Sequence, residues 1–155
     1  MEITKALHEL KKIEIKAQEL YSHYHNLFRE DQEAADFFQV ISEEEKSHAD
    51  IIEYQIRLIR ADSKSFSEVD LDVKPVNDLV DKINVQIRST RHVSLESAVG
   101  FSISLESDAV ESLYRSLMVK SNPEVAELIS KLGIDDKVHL GKLKAFAKSR
   151  GYAIT

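Results

Sequence analysis

Apolar residues recur at alternating intervals of three and four along four long stretches of this chain, a spacing that an α-helix turns into one continuous face. With four glycines and two prolines in 155 residues, those stretches lack breakers, which favours helices over strands. The first predicts a helix from about Ile3 to Phe28, with Ile3, Leu7, Leu10, Ala17, Tyr21, Tyr24 and Phe28 on its stripe. Asp31 is placed to cap a second helix carrying Ala34, Phe38, Ile41, Ile52, Gln55 and Ile59. A polar stretch from Asp62 to Lys74 breaks the pattern. Pro75 then suits the first turn of a short amphipathic helix with Val76, Leu79, Val80, Ile83 and Ile87, placed to cover the bundle end or to form a dimer contact. A third long helix starts near Ser94 and shows Leu95, Val99, Ile103, Val110, Leu113 and Leu117. Asn122-Pro123 reads as an N-cap and first-turn proline for a fourth, which carries Val125, Leu128, Leu132, Leu143 and Phe146 and stops near Gly151. The expected architecture is all-α and a single domain over 1–155. Two helical hairpins, about 3–61 and 94–150, flank a crossover over 62–93 with a short extra helix, the plan of a crossover four-helix bundle.

Each long stripe is interrupted near its middle by an ionisable residue where an apolar one is expected. In the first the interruption is Glu14, in the second Glu45 and His48, in the third Glu106, and in the fourth Asp136 and His139. Burying a lone carboxylate costs several kcal/mol, so buried acids come paired, protonated or metal-bound. No Lys or Arg lies on these stripes, so the expected counter-charge is a cation that is not a side chain. Two divalent metals would balance the four carboxylates. The interruptions also repeat: Glu14 and Glu106 stand 92 positions apart, Glu45 and Asp136 91, and His48 and His139 91. A carboxylate and a histidine at i and i+3 share one helix face, so facing hairpins would bring two matching donor sets together.

The rest of the composition narrows the chemistry. The chain has no cysteine, which removes disulfides, thiolate metal sites and cysteine nucleophiles and leaves oxygen and imidazole as donors. With 21 basic against 27 acidic side chains and a net charge of −6, no basic face for nucleic acid is visible. No apolar run approaches the ~20 residues of a membrane span, and Met1 to Lys5 opens into an amphipathic pattern without a signal-peptide core, so a cytoplasmic protein is expected. His8, His23, His25 and His92 miss the seam next to the candidate ligands and are expected to face solvent. Glu43 and Glu44 are expected on the solvated face beside Glu45. Tyr21 falls on the seam two turns after Glu14, either as a partner of a ligand or as a packed core residue, and Tyr114 is expected to be ordinary packing.

Glu14-x6-Tyr21, Glu45-Lys46-Ser47-His48, Glu106-x7-Tyr114 and Asp136-Lys137-Val138-His139 together resemble the rubrerythrin branch of the ferritin-like di-iron carboxylate proteins, over nearly the whole chain. The nearest likeness is to members without a rubredoxin domain. This ligand arrangement is the general pattern of such bundles. The resemblance implies that Glu45 and Asp136 bridge two metals, that Glu14 and Glu106 are terminal carboxylates, and that His48 and His139 each bind one metal. It implies two iron ions, with manganese or zinc as substitutes, and two-electron reduction of peroxide or O2, with an external electron-donor protein and a homodimeric assembly. Rubrerythrins proper carry a further glutamate three residues after the third-helix ligand, and here that position is Ala109. Asp136 is one methylene shorter than glutamate, and Gly133, one turn before it, is placed to kink the helix and bring Asp135 forward instead. The alternatives are a non-catalytic iron- or metal-handling protein and a structural bundle with a decayed site.

Overall fold

The computed structural model describes residues 1–62, 64–89 and 91–154, and among these the secondary structure is entirely helical. Helix α1 spans Ile3–Leu27, α2 Gln32–Ala61, α3 Lys74–Ser89, α4 Leu95–Glu106, α5 Ala109–Ser121 and α6 Ala126–Ser149, with a 3-10 turn at Pro123–Val125. None of these helices is long and apolar enough to cross a membrane.

The helix boundaries follow from local chemistry. Asp31 caps α2 by accepting from the Ala34 amide, and its carboxylate also receives both terminal nitrogens of Arg150 at 2.7 and 2.8 Å. Ser94 caps α4 in the same way through the Ser97 amide. At the other end of the chain, Gly151 takes φ 71°, and the Tyr152 amide donates back to the Ala147 carbonyl at 2.9 Å, which closes α6.

Helix α1 lies along α2, α4 and α5 lie against α6, and the two sets meet through α1 with α5 and α2 with α6. Helix α3 packs on α1, burying Val76, Leu79 and Ile83 in the same apolar cluster that holds Leu7, Leu10, Ile13, Ile52 and Leu143. Burial of each such side chain contributes about 1.5–3 kcal/mol. The segment between α2 and α3 is pinned at two points. Met1 and Val69 exchange backbone bonds at 3.0 and 2.7 Å. The amide of Asn122, 2% exposed, accepts from the Ser67 N–H at 2.7 Å and donates to the Ser67 carbonyl at 2.8 Å. Asn122 therefore caps no helix with its side chain, contrary to the expectation; its amide satisfies a crossover backbone that has no secondary structure of its own.

The third long helix is two helices. Backbone bonds from Ser107 to Ile103 and from Asp108 to Leu105 end α4, and the Asp108 carboxylate restarts the chain as α5 by accepting from the Val110 amide at 2.9 Å. The restart changes the phase. Tyr114 and Met118 turn into the core, whereas Leu113, expected on the buried stripe, is 52% exposed. Helix α6, by contrast, runs through Gly133 without a break.

Candidate metal centre

All six charges expected in the seam meet in the interior. Among the described residues, Glu45, His48 and His139 each offer one donor atom, and those atoms lie within 4.8 Å of one another. The same holds for Glu14, His48 and Asp136, and for Glu106, Asp136 and His139. Glu45 stands between the two imidazoles, with His139 Nδ1 2.8 Å from its Oε1 and His48 Nδ1 3.6 Å from its Oε2. His48 Nδ1 is also 3.5 Å from Glu14 Oε2. The two rings stack with centroids 5.1 Å apart.

The repeat explains this geometry. Glu45 and His48 share one face of α2, Asp136 and His139 share one face of α6, and packing α2 against α6 closes the two pairs on each other. Glu14 and Tyr21 lie two turns apart on the buried face of α1, and the Tyr21 hydroxyl donates to Glu106 Oε1 at 2.5 Å. Of the two readings open for Tyr21, it fulfils both: it is fully buried and it holds a candidate ligand.

The outer edges of the imidazoles carry two acids that the stripe pattern passes over. Glu44 Oε2 lies 2.7 Å from His139 Nε2, and Asp135 Oδ2 lies 3.4 Å from His48 Nε2. Each ring thus has an acid of the opposite helix beside its Nε2 edge, close enough for an ion pair but without a well-aligned hydrogen bond. Glu44, expected on a solvated face, is one-third exposed and also receives Lys142 at 2.6 Å. Asp135 does come to the site, but alongside Asp136 and not in its place. The repeat itself held the signal, since Glu44 and Asp135 precede Glu45 and Asp136 in both halves. A cavity of about 240 Å³ between α2 and α6, lined by Glu44, Ser47, His48, Lys131, Asp135 and His139, reaches this edge from the surface.

One expectation is overturned. A side-chain cation does enter the cluster: the restarted α5 turns Arg115 inward, where its Nη1 donates to Asp136 Oδ2 and lies 3.3 Å from Glu111 Oε2. Both residues were invisible on an unbroken stripe. The signal was Asp108-Ala109-Val110-Glu111, a capping residue followed at the third position by glutamate, the mark of a helix start.

The remaining expectations divide. His92 is exposed, but His8, His23 and His25 are half-buried, and His25 Nδ1 lies 2.8 Å from the Ala35 carbonyl. His8 Nε2 lies 3.2 Å from an Arg60 nitrogen, and His23 packs against the neighbouring Tyr24 ring. Tyr114 is buried, and its hydroxyl donates to the Asp72 carbonyl, so it ties α5 to the crossover and stands apart from the cluster.

Protonation follows from burial and crowding. Burial first, and then the Glu45 charge, push Glu14 well above the ordinary carboxylate range and Glu106 up to about 8. Burial and the charges of Asp136 and Glu106 raise Glu111 well above that range too. Burial also works against ionised Glu45, but its contacts with Glu14, His139 and His48 outweigh that and hold it below the usual range. Burial opposes a charged His139 as well, yet the contacts with Glu45, Glu106 and Glu44 bring it up to about 9. The shifts of Glu14, Glu106, Glu111 and His139 thus all favour the protonated form around one carboxylate, Glu45, that is held ionised.

The donor set fits a divalent metal. Glu14 Oε1, Glu44 Oε2, His48 Nδ1 and His139 Nδ1 are buried without a hydrogen-bond partner of good geometry, and Glu14, His48 and His139 are 1%, 4% and 2% exposed. Buried polar atoms are otherwise almost always partnered, so these orphans form a donor set that could hold an ion. No family model matches the chain, and no curated protein or solved structure matches it.

Proposed function

We propose that this chain is a di-metal carboxylate protein of rubrerythrin type, a ferritin-like bundle that holds two divalent ions, iron first among them, and carries out redox chemistry on peroxide or O2. The observation that carries this reading is Glu45, buried with an imidazole Nδ1 facing each of its two oxygens. A carboxylate so placed suits a bridge between two ions. Asp136, which belongs to both of the trios containing Glu14 or Glu106, suits the second bridge. Oxygen-rich ligation with one imidazole per ion favours Fe(II) or Mn(II) over softer metals.

Bound iron would supply the one-electron steps that, taken together, reduce a peroxide bond by two electrons. The protein's own part is positional. Glu44 and Asp135 orient the rings of His139 and His48, and Tyr21 orients Glu106. The cavity between α2 and α6 admits a small oxidant to the imidazole edge and is too confined for a large substrate. With no cysteine in the chain, electrons must come from another protein.

The test is anaerobic addition of Fe(II) to metal-free protein, followed by elemental analysis, a thermal melt and exposure to peroxide. About two ions per chain and a raised Tm are expected, since an ion that binds only the folded state must stabilise it. Repeated peroxide turnover with a reductant supports the enzyme; a single stoichiometric oxidation supports metal handling instead. Less than about one ion per chain, with no change in Tm, rejects the metal site and leaves a structural bundle.

A further inference from the structure

Arg115 is the one feature of the cluster that a two-ion site does not call for. It rests between two acids, its Nη1 donating to Asp136 and, at 3.3 Å, to Glu111, with the three side chains only 15%, 13% and 18% exposed. We propose that Arg115 is a built-in competitor for the second metal ion, holding Asp136 until that ion displaces it onto Glu111. This rests on the two-ion reading above.

The two ion positions are unequal because of it. The trio of Glu45, His48 and His139 contains no atom bound by Arg115, so a first ion can bind there without moving the arginine, and it gives up one of the two imidazoles when the second ion binds. Both other trios depend on Asp136. A second ion must therefore win Asp136 from a guanidinium. Arginine does not lose its proton in proteins, so it can leave only by moving.

The structure offers it a place to go. Glu111 lies one turn earlier on the same helix, close enough for an i,i+4 pair. Outward of Arg115, a groove of about 540 Å³ runs between α5 and α6, lined by Ser112, Ser116, Gly133 and Lys137. Gly133 faces the arginine directly: a Cβ there would stand 3.6 Å from Arg115 Nε, and larger side chains would crowd the path.

The two acids flanking Arg115 predict opposite effects. Calorimetric titration of Mn(II) into metal-free protein should resolve a tighter first ion and a weaker second one. Arg115→Gln should tighten the second by about tenfold or more, equivalent to about 1.4 kcal/mol, and leave the first nearly unchanged. Glu111→Gln should weaken the second by a similar factor, because the arginine loses its alternative partner. Arg115→Lys keeps a competing cation and should leave the second ion weak, which separates charge from packing if Arg115→Gln folds poorly. Equal sites in the wild type that Arg115→Gln does not alter, or variants that all weaken both ions alike, overturn the proposal while the two-ion site stands. No Mn(II) binding in any variant rejects both.

Discussion

His139 Nδ1 stands 2.8 Å from Oε1 of Glu45, so an imidazole on α6 meets a carboxylate on α2 at the centre of the buried charged cluster. The contact compensates two buried charges in the metal-free protein, with Glu45 held ionised and His139 raised to about 9. It also brings together the nitrogen and oxygen that a metal would need, without a well-aligned hydrogen bond between them. Metal must therefore compete with protons.

Affinity for a divalent ion should for this reason rise with pH. Burial and crowding shift Glu14 and Glu106 toward their protonated forms, and the surrounding carboxylates shift His139 toward its cationic form, and each must lose its proton to serve as a ligand. Mn(II) titrations at pH 6 and pH 8 should differ by roughly tenfold per pH unit for each proton released. Binding heats should scale with the ionisation enthalpy of the buffer. Identical affinities at the two pH values, with buffer-independent heats, would contradict the protonation pattern.

Without metal, the stability of the protein should run the other way. Glu106 has its folded value raised from 4.5 to about 8, so its contribution is fully present below 4.5 and is lost as pH rises through 8. His139, raised from 6.5 to about 9, contributes below 6.5 and loses that as pH rises through 9. The metal-free Tm should fall between pH 5 and pH 9. Glu106→Gln keeps an acceptor for the Tyr21 hydroxyl without the charge and should flatten this slope, with a gain on the order of 1 kcal/mol at pH 9. A wild-type Tm that climbs over this interval would be inconsistent with buried, proton-holding acids.

Asn122→Ala should cost about 2 kcal/mol, since it removes two hydrogen bonds from the Ser67 backbone and leaves both groups to find other partners. Urea unfolding should show a lower midpoint, and amide exchange at Ser67 should accelerate. Unchanged exchange there would mean that the crossover does not depend on this side chain.

How much of this was legible in the chain varies element by element. The limits of α1, the cap at Asp31, the start of α3 near Pro75 and the stop at Gly151 are set by caps, breakers and period, which act over a few residues. The six charges in the seam were legible for the same reason, because a helix places every third or fourth residue on one face whatever lies opposite. Asn122 was misread because its preference for helix starts is local, whereas its partner Ser67 is a long-range neighbour.

From the chain alone follow the helices other than the split one, the two matched donor sets and the absence of any thiolate among them. Tertiary packing decided the rest. It placed Glu44 and Asp135 behind the opposite histidines, since which acid backs which ring depends on how α2 meets α6. It also brought in Arg115, because ending α4 at Glu106 and restarting at Ala109 rotates every later residue of that helix relative to the core. A two-residue interruption is a small change in sequence pattern but a large change in angle, and it put a positive charge where an unbroken helix would have put none.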